Sequence, residues 1–302
     1  MNGVYDEPQD DLSDYFPPWF LDAIADAPER GTVEVQGARI ETLAWGKRGR
    51  PGLLFLHGNG SHADWWCPFA PFFSAERRVG AISWSGMGRS DWREVYPIEL
   101  HREELLKGAE ALGLFDGPQK PWIVAHSFGS APALQVAATQ DGERFAGLIV
   151  VDNGARPARM ESPFTGRSAW ANSGYATLAE GVSRFRLRPP QSCENAYMLE
   201  FIAMRSLTER EDGRWHWCFD PDGDSKRGIV HMQNSGGTVA AARCPLTFLW
   251  GDRSSLMPAE IIALTRDHAP PGTRFVEMPD AAHHLMMDQP IAFVSTLRAL
   301  MA

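Results

Sequence analysis

Five short apolar runs constrain the fold of this chain more than any other feature. Residues 52–56 (GLLFL), 78–84 (RVGAISW), 121–125 (PWIVA), 145–151 (FAGLIVV) and 246–250 (LTFLW) show little polar alternation. Strands that are apolar on both faces belong inside a parallel sheet, with helices covering each side. The connecting segments carry helical spacing. Residues 98–112 place Leu100, Leu105, Ala109 and Leu112 at intervals that share one helix face. Segments 128–138, 258–268 and 290–301 also read as helices, and 274–278 as a last strand. Two runs flanking Gly37, within residues 32–45, predict a hairpin at the start. Strands alternating with helices predict a right-handed, mostly parallel α/β sheet.

One segment breaks the rhythm. Residues 154–242 are rich in Arg, Ser and Gly, include Trp170, Trp215 and Trp217, and show no strand–helix alternation. An excursion of this size between two strands predicts an inserted lid over the carboxyl edge of the sheet, where open α/β sheets bind ligands. The expected organisation is an N-terminal extension at 1–31, a core built from 32–153 and 243–302, and a cap at 154–242.

Composition narrows the partners. The 302 residues are 44% hydrophobic and 22% charged, a globular balance. There are 29 Lys and Arg against 38 Asp and Glu, a net charge of −9, which disfavours a nucleic-acid partner. No apolar run approaches the roughly 18 residues of a membrane span. The acidic N-terminus, interrupted by Pro17 and Pro18, lacks a basic stretch followed by an apolar one, so it is not read as a secretory leader. Cys67, Cys193, Cys218 and Cys244 lack C-x-x-C spacing and read as reduced core residues. A cytoplasmic protein is expected, with a small-molecule substrate, no membrane partner, and room for a homodimer.

The chemistry starts at Ala125-His126-Ser127-Phe128-Gly129. A small residue two positions to either side of Ser127, after a predicted strand and before a predicted helix, suits a strained turn that lifts a nucleophile out of the sheet. Here the chain resembles the α/β-hydrolase fold family, over about residues 32–302. His57-Gly58-Asn59-Gly60 is similar to the family's H-G-x-[GP] oxyanion loop. Gly86-Met87-Gly88-Arg89-Ser90 resembles its G-x-G-x-S turn. The run from Ala282-His283-His284 to Asp288-Gln289-Pro290 resembles its closing G-H-x-x-x-x-[DE]-x-P. The resemblance implies a mostly parallel eight-stranded sheet with helices on both faces and an inserted, mainly helical cap.

It also implies roles. Ser127 takes the nucleophile's place and His283 the general base's. The backbone amides of Asn59 and Phe128 take the places of the oxyanion donors, with Gly60 as a fallback for the first. His57 is expected to brace its loop and His126 to pack. His284 is expected to point away from His283, because neighbouring residues do not share a direction. The third member stays open. Serines, Ser254 and Ser255, occupy the usual acid positions after Gly251. Asp152, at the end of the 145–151 strand, and Asp252, directly after Gly251, are the two candidates.

Serine with histidine points to acyl transfer to water, since epoxide-opening and halide-displacing relatives carry aspartate at the turn. The expected substrate is an ester, thioester or lactone. A vinylogous-diketone C–C hydrolase and a non-catalytic small-molecule receptor are the alternatives. Trp65, Trp66 and Trp170 suggest a largely apolar or aromatic pocket. Arg156, Arg159 and Arg167 could meet a substrate carboxylate. No cofactor is implied: no G-x-G-x-x-G follows the first strand, no Walker lysine is present, and no H-x-x-x-H suggests a metal.

Overall fold

The computed structural model describes residues 15–157, 174–227 and 235–302. Its strands are β1 (Glu29–Val35), β2 (Ala38–Trp45), β3 (Gly52–Leu56), β4 (Arg78–Ile82), β5 (Trp122–His126), β6 (Gly147–Val151), β7 (Leu207–Glu209), β8 (Trp215–Trp217), β9 (Leu246–Gly251) and β10 (Arg274–Met278). Eight form one sheet in the order β1-β2-β4-β3-β5-β6-β9-β10. The β1–β2 and β2–β4 pairings are antiparallel and the remainder parallel, so β2 alone runs against the rest. The predicted hairpin is the β1–β2 pair, and its first strand begins at Glu29, ahead of the expected core boundary.

The apolar runs do what two-sided strands must. Leu54 and Leu56 of β3 enter one core cluster, whereas Leu53 and Phe55 enter the other. Ile123 and Ala125 of β5, and Leu148 and Val150 of β6, join the first cluster; Val124, Ile149 and Val151 join the second. Helices Ile98–Ala111, Ser130–Ala137 and Ala259–His268 supply the first face. Pro18–Ala25 and Pro290–Leu300 supply the second. Each fully buried Leu, Ile or Phe contributes about 1.5–3 kcal/mol of transfer energy.

Strand order sets the position of the site. From β3 the chain steps to β4 on one side, whereas from β5 it steps to β6 on the other. The adjacent carboxyl ends of β3 and β5 therefore frame the switch point, where such sheets form a crevice. The loops after β6, β9 and β10 open at the same edge, because these strands are parallel to β5.

Between β6 and β9 the described residues hold the short helices Leu178–Ser183, Ala196–Arg205, Gly223–Arg227 and Gly236–Ala240 and the β7–β8 hairpin. Trp170, Arg159 and Arg167 lie outside the described residues. Among the described residues no helix is long and apolar enough to cross a membrane.

Candidate active site

The turn after β5 carries Ser127 at φ +52°. That left-handed conformation is strained for a residue with a Cβ, and surrounding contacts must hold it. Three of them are visible. Asn153 Nδ2 donates to the Ser127 carbonyl at 3.0 Å, and Ser130 Oγ donates to the Ala125 carbonyl at 2.6 Å. On the third side the chain packs so closely that a Cβ on Gly129 would lie 2.6 Å from the His57 carbonyl oxygen. The expected helix opens with a 3-10 turn, Ser127–Gly129, and becomes α-helical at Ser130.

The loop after β3 lies against this turn. A Cβ at Gly58 would sit 3.1 Å from Ser127 Cβ and 3.0 Å from His126 Nδ1, so only glycine fits without displacing them. His57 braces the loop: its Nδ1 donates to the Gly58 carbonyl at 2.8 Å, and its Nε2 accepts the Trp84 amide at 3.1 Å. Asn59 follows, its side chain donating to Asp224 at 2.9 Å. The backbone amides of Asn59 and Phe128 thus belong to two loops in contact, either side of Ser127.

His283 stands in the loop after β10. Its Nδ1 lies 2.6 Å from Asp152 Oδ2. Because a carboxylate oxygen can only accept, Nδ1 carries the hydrogen, and in the neutral ring the lone pair is then on Nε2. Asp152 directly follows β6, at φ +51°, and is 1% exposed. A buried carboxylate needs partners. Besides His283 it accepts the Gly251 amide at 3.2 Å and the Ser254 hydroxyl at 2.6 Å. Asp252 goes elsewhere: it is exposed and accepts the Ala281 amide at 3.1 Å, away from the His283 ring.

Ser254 was absent from the expected site. It occupies a position where the family's usual acid would stand, and its hydroxyl donates to Asp152, which follows β6. The sequence signal was the missing carboxylate itself, read as a gap and not as a hydrogen-bond donor.

The spacing from His283 to Asp288 has a structural cause. Asp288 Oδ2 accepts the Ala282 amide at 2.8 Å, and both of its oxygens accept from Gln191 Nε2. This clamp holds the histidine loop against the segment at Gln191. His126 Nε2 donates to the His283 carbonyl at 3.0 Å, which ties the histidine loop to the residue before Ser127. The hydrogen bonds of His283 thus run to Asp152 and His126 and do not include the Ser127 hydroxyl. Such bonds are often long in a ligand-free site and tighten with substrate.

His284 corrects an expectation. Its ring lies 4.7 Å from that of His283 and 5.2 Å from that of His126. Alternating side-chain direction holds in strands, and this loop is not one. Ring nitrogens of His126, His283 and His284 lie within 4.8 Å of one another, making these the described residues that could hold a metal ion. Burial, reinforced by the neighbouring histidines, holds His126 and His284 well below the usual histidine pKa, so both rings are neutral.

Against the Asn59 loop lies a cleft. Asn59, Gly60, Trp65, Phe185, Trp217 and His284 are among its walls. Trp66 is not. It stacks on Phe55 at 4.6 Å and packs with Phe69 and Phe293 in the second core cluster. Consecutive residues of a short 3-10 turn, Ala63–Trp66, face different ways, so one indole reaches the cleft and the next fills the core. Arg156 is buried, and its guanidinium donates to the Leu256 carbonyl at 2.6 Å.

The curated esterase Rv0045c of Mycobacterium tuberculosis is 24% identical over 282 residues, 88% of each chain. Its crystal structure superposes with a TM-score of 0.73 over 99% of both chains, at 20% identity. Epoxide hydrolase 4 of Mus musculus is 22% identical over 274 residues, covering 85% of this chain and 75% of that one. The thioesterase domain from the curacin biosynthetic pathway superposes at a TM-score of 0.72, 21% identity, over 90% of this chain and 99% of that one. The sequence pattern of the Alpha/beta hydrolase family matches residues 53–296, and with the eight-stranded sheet this places the chain in that family.

Proposed function

We propose that the chain is a serine hydrolase that cleaves an ester, thioester or lactone of a small, largely apolar or aromatic substrate through an acyl-enzyme. One observation carries the reading: the His283–Asp152 contact of 2.6 Å at the sheet edge that presents Ser127 on a strained turn. In this reading His283 Nε2 takes the proton of Ser127 Oγ as the oxygen attacks the substrate carbonyl. Asp152 holds the imidazole in the tautomer that can accept that proton and stabilises the resulting imidazolium. Developing negative charge on the carbonyl oxygen meets the amides of Asn59 and Phe128. His283 then returns its proton to the leaving oxygen or sulfur. A water, deprotonated by the same ring, then attacks the acyl carbonyl, the bond to Ser127 Oγ breaks to free the acid, and His283 returns the proton to Ser127 Oγ.

Residues 154–242 are the cap over this site, with Trp65 on the core side of the cleft. The relatives lend support, among them the mycobacterial esterase and a pimeloyl acyl-carrier-protein methyl ester esterase of Edwardsiella ictaluri, 24% identical over 271 residues. A serine at the turn favours the acyl route over the carboxylate-nucleophile route of epoxide opening. A fluorophosphonate probe tests the proposal. It labels the wild-type chain and fails to label Ser127→Ala, and p-nitrophenyl ester turnover vanishes in parallel. A wild-type chain that resists the probe overturns the reading.

A further inference from the structure

The cleft contains two polar side chains that folding leaves incomplete. Trp65 and His284 both line it, with ring centroids 5.4 Å apart. Trp65 Nε1 and His284 Nδ1 are buried atoms without a hydrogen-bond partner. The residues are 7% and 4% exposed. Buried polar atoms are nearly always paired, so two exceptions in neighbouring side chains of one cleft call for a physical account.

Bonding elsewhere on the rings fixes what each atom offers. An indole N–H can only donate. His284 Nε2 lies 3.0 Å from the Arg188 carbonyl oxygen, which can only accept, so Nε2 holds the hydrogen and Nδ1 holds a lone pair. The rest of the wall carries the apolar Phe185, Leu187, Trp217 and Phe219 together with Asn59, Ser61, Arg186, Arg188 and Ser206. One donor and one acceptor that the fold leaves unpaired therefore stand on neighbouring rings of this wall. The group that satisfies both with one atom centre is a hydroxyl, which accepts and donates at the same oxygen. A methyl group satisfies neither. A carboxylate accepts from the indole but meets the Nδ1 lone pair with another acceptor.

We propose that Trp65 and His284 form a subsite for a hydroxyl carried on the acyl chain of the substrate. The hydroxyl oxygen accepts from Trp65 Nε1–H while its hydrogen is donated to His284 Nδ1. Asn59 and Gly60 lie on the same cleft, so an acyl chain whose carbonyl sits at the Asn59 amide runs directly along this wall. The preferred substrates are esters of hydroxylated acids. Placing the carbonyl there rests on the serine-hydrolase reading above.

The test pairs p-nitrophenyl esters of hydroxy acids, hydroxylated at successive carbons from C3 to C6, with the same chains lacking the hydroxyl. The wild-type chain favours at least one hydroxylated ester by about tenfold or more in kcat/KM, since a site built to bond a hydroxyl discriminates against its absence. Trp65→Phe, which keeps the ring and removes the donor, reduces that ratio below about threefold, the loss expected for one hydrogen bond. Calorimetry on Ser127→Ala protein gives a readout without turnover: the hydroxy acid binds more tightly than the plain acid. Equal kcat/KM and equal binding within every pair overturn the subsite, as does a ratio untouched by Trp65→Phe. Probe labelling of Ser127 without hydroxyl preference sinks the subsite alone. Hydroxyl-selective binding in a chain that the probe does not label sinks the hydrolase reading and leaves the subsite standing.

Discussion

Replacing Asp152 by Asn tests the electrostatics of the site most severely, because the hydrogen-bond geometry dictates how the amide must sit. Asp152 Oδ1 accepts the Gly251 amide at 3.2 Å, and Oδ2 accepts both Ser254 Oγ and His283 Nδ1 at 2.6 Å. An asparagine has one oxygen. The backbone amide of Gly251 can never become an acceptor, so the oxygen must face it. The NH₂ group then faces Ser254 and His283. The serine can rotate its hydroxyl to accept. His283 must also accept at Nδ1, which moves its hydrogen to Nε2 and removes the lone pair that the proposed mechanism uses to deprotonate Ser127. Serine–histidine–aspartate enzymes lose about 10⁴ in kcat from this tautomer error. That corresponds to about 5.4 kcal/mol of barrier at about 1.36 kcal/mol per factor of ten. Asp252→Asn is the control: the exposed side chain accepts backbone amides, Ala281 among them, and turnover is expected within about threefold of wild type. Ester hydrolysis under saturating substrate measures both, with thermal unfolding run alongside. The reasoning fails if Asp152→Asn, still folded, keeps more than a tenth of wild-type kcat, or if Asp252→Asn loses as much as Asp152→Asn.

Ser254→Ala removes one of three donors to a buried carboxylate and is expected to cost about 1.5–3 kcal/mol in stability, the range for hydrogen bonds to charged groups. Chemical denaturation measures the cost; an unchanged midpoint would mean that this bond contributes nothing. Glu104 is fully buried, and burial raises its carboxyl from 4.5 to about 7, against the amide of Ser85 and the guanidinium of Arg93. Because the folded-state value is the higher one, its contribution to stability is complete below pH 4.5 and drains away as pH rises through 7. Glu104→Gln should abolish this dependence, so that the variant gains on wild type by on the order of 3 kcal/mol between pH 4 and pH 8. Denaturant titrations at the two pH values check it, and parallel pH profiles for the two proteins would exclude Glu104 as the source.

The layered α/β architecture was legible because it depends on patterns a linear string can carry. Continuous apolar runs such as residues 52–56 and 147–151 declare strands buried on both faces, and Leu53 and Leu54 do enter opposite cores. Ser127 was legible because a strained turn tolerates only small neighbours, a requirement local to five residues. His283 came from the spacing to Asp288, which reflects a short-range clamp on the Ala282 amide.

What stayed hidden involves pairs far apart in sequence. On paper Asp152 was the preferred acid and Asp252 the alternative, and the choice depends on which carboxylate reaches the His283 ring, 131 positions from Asp152. Ser254 reads only as a serine standing in an acid's position until Asp152 arrives 2.6 Å away. Trp65 and Trp66 are indistinguishable as letters, yet one meets the cleft and the other stacks between Phe55 and Phe293. Local sterics and hydrophobic period are written residue by residue. Which polar atoms share a buried space is decided only when parallel strands bring their carboxyl ends to one edge, because solvation cost, not sequence proximity, forces those atoms to pair.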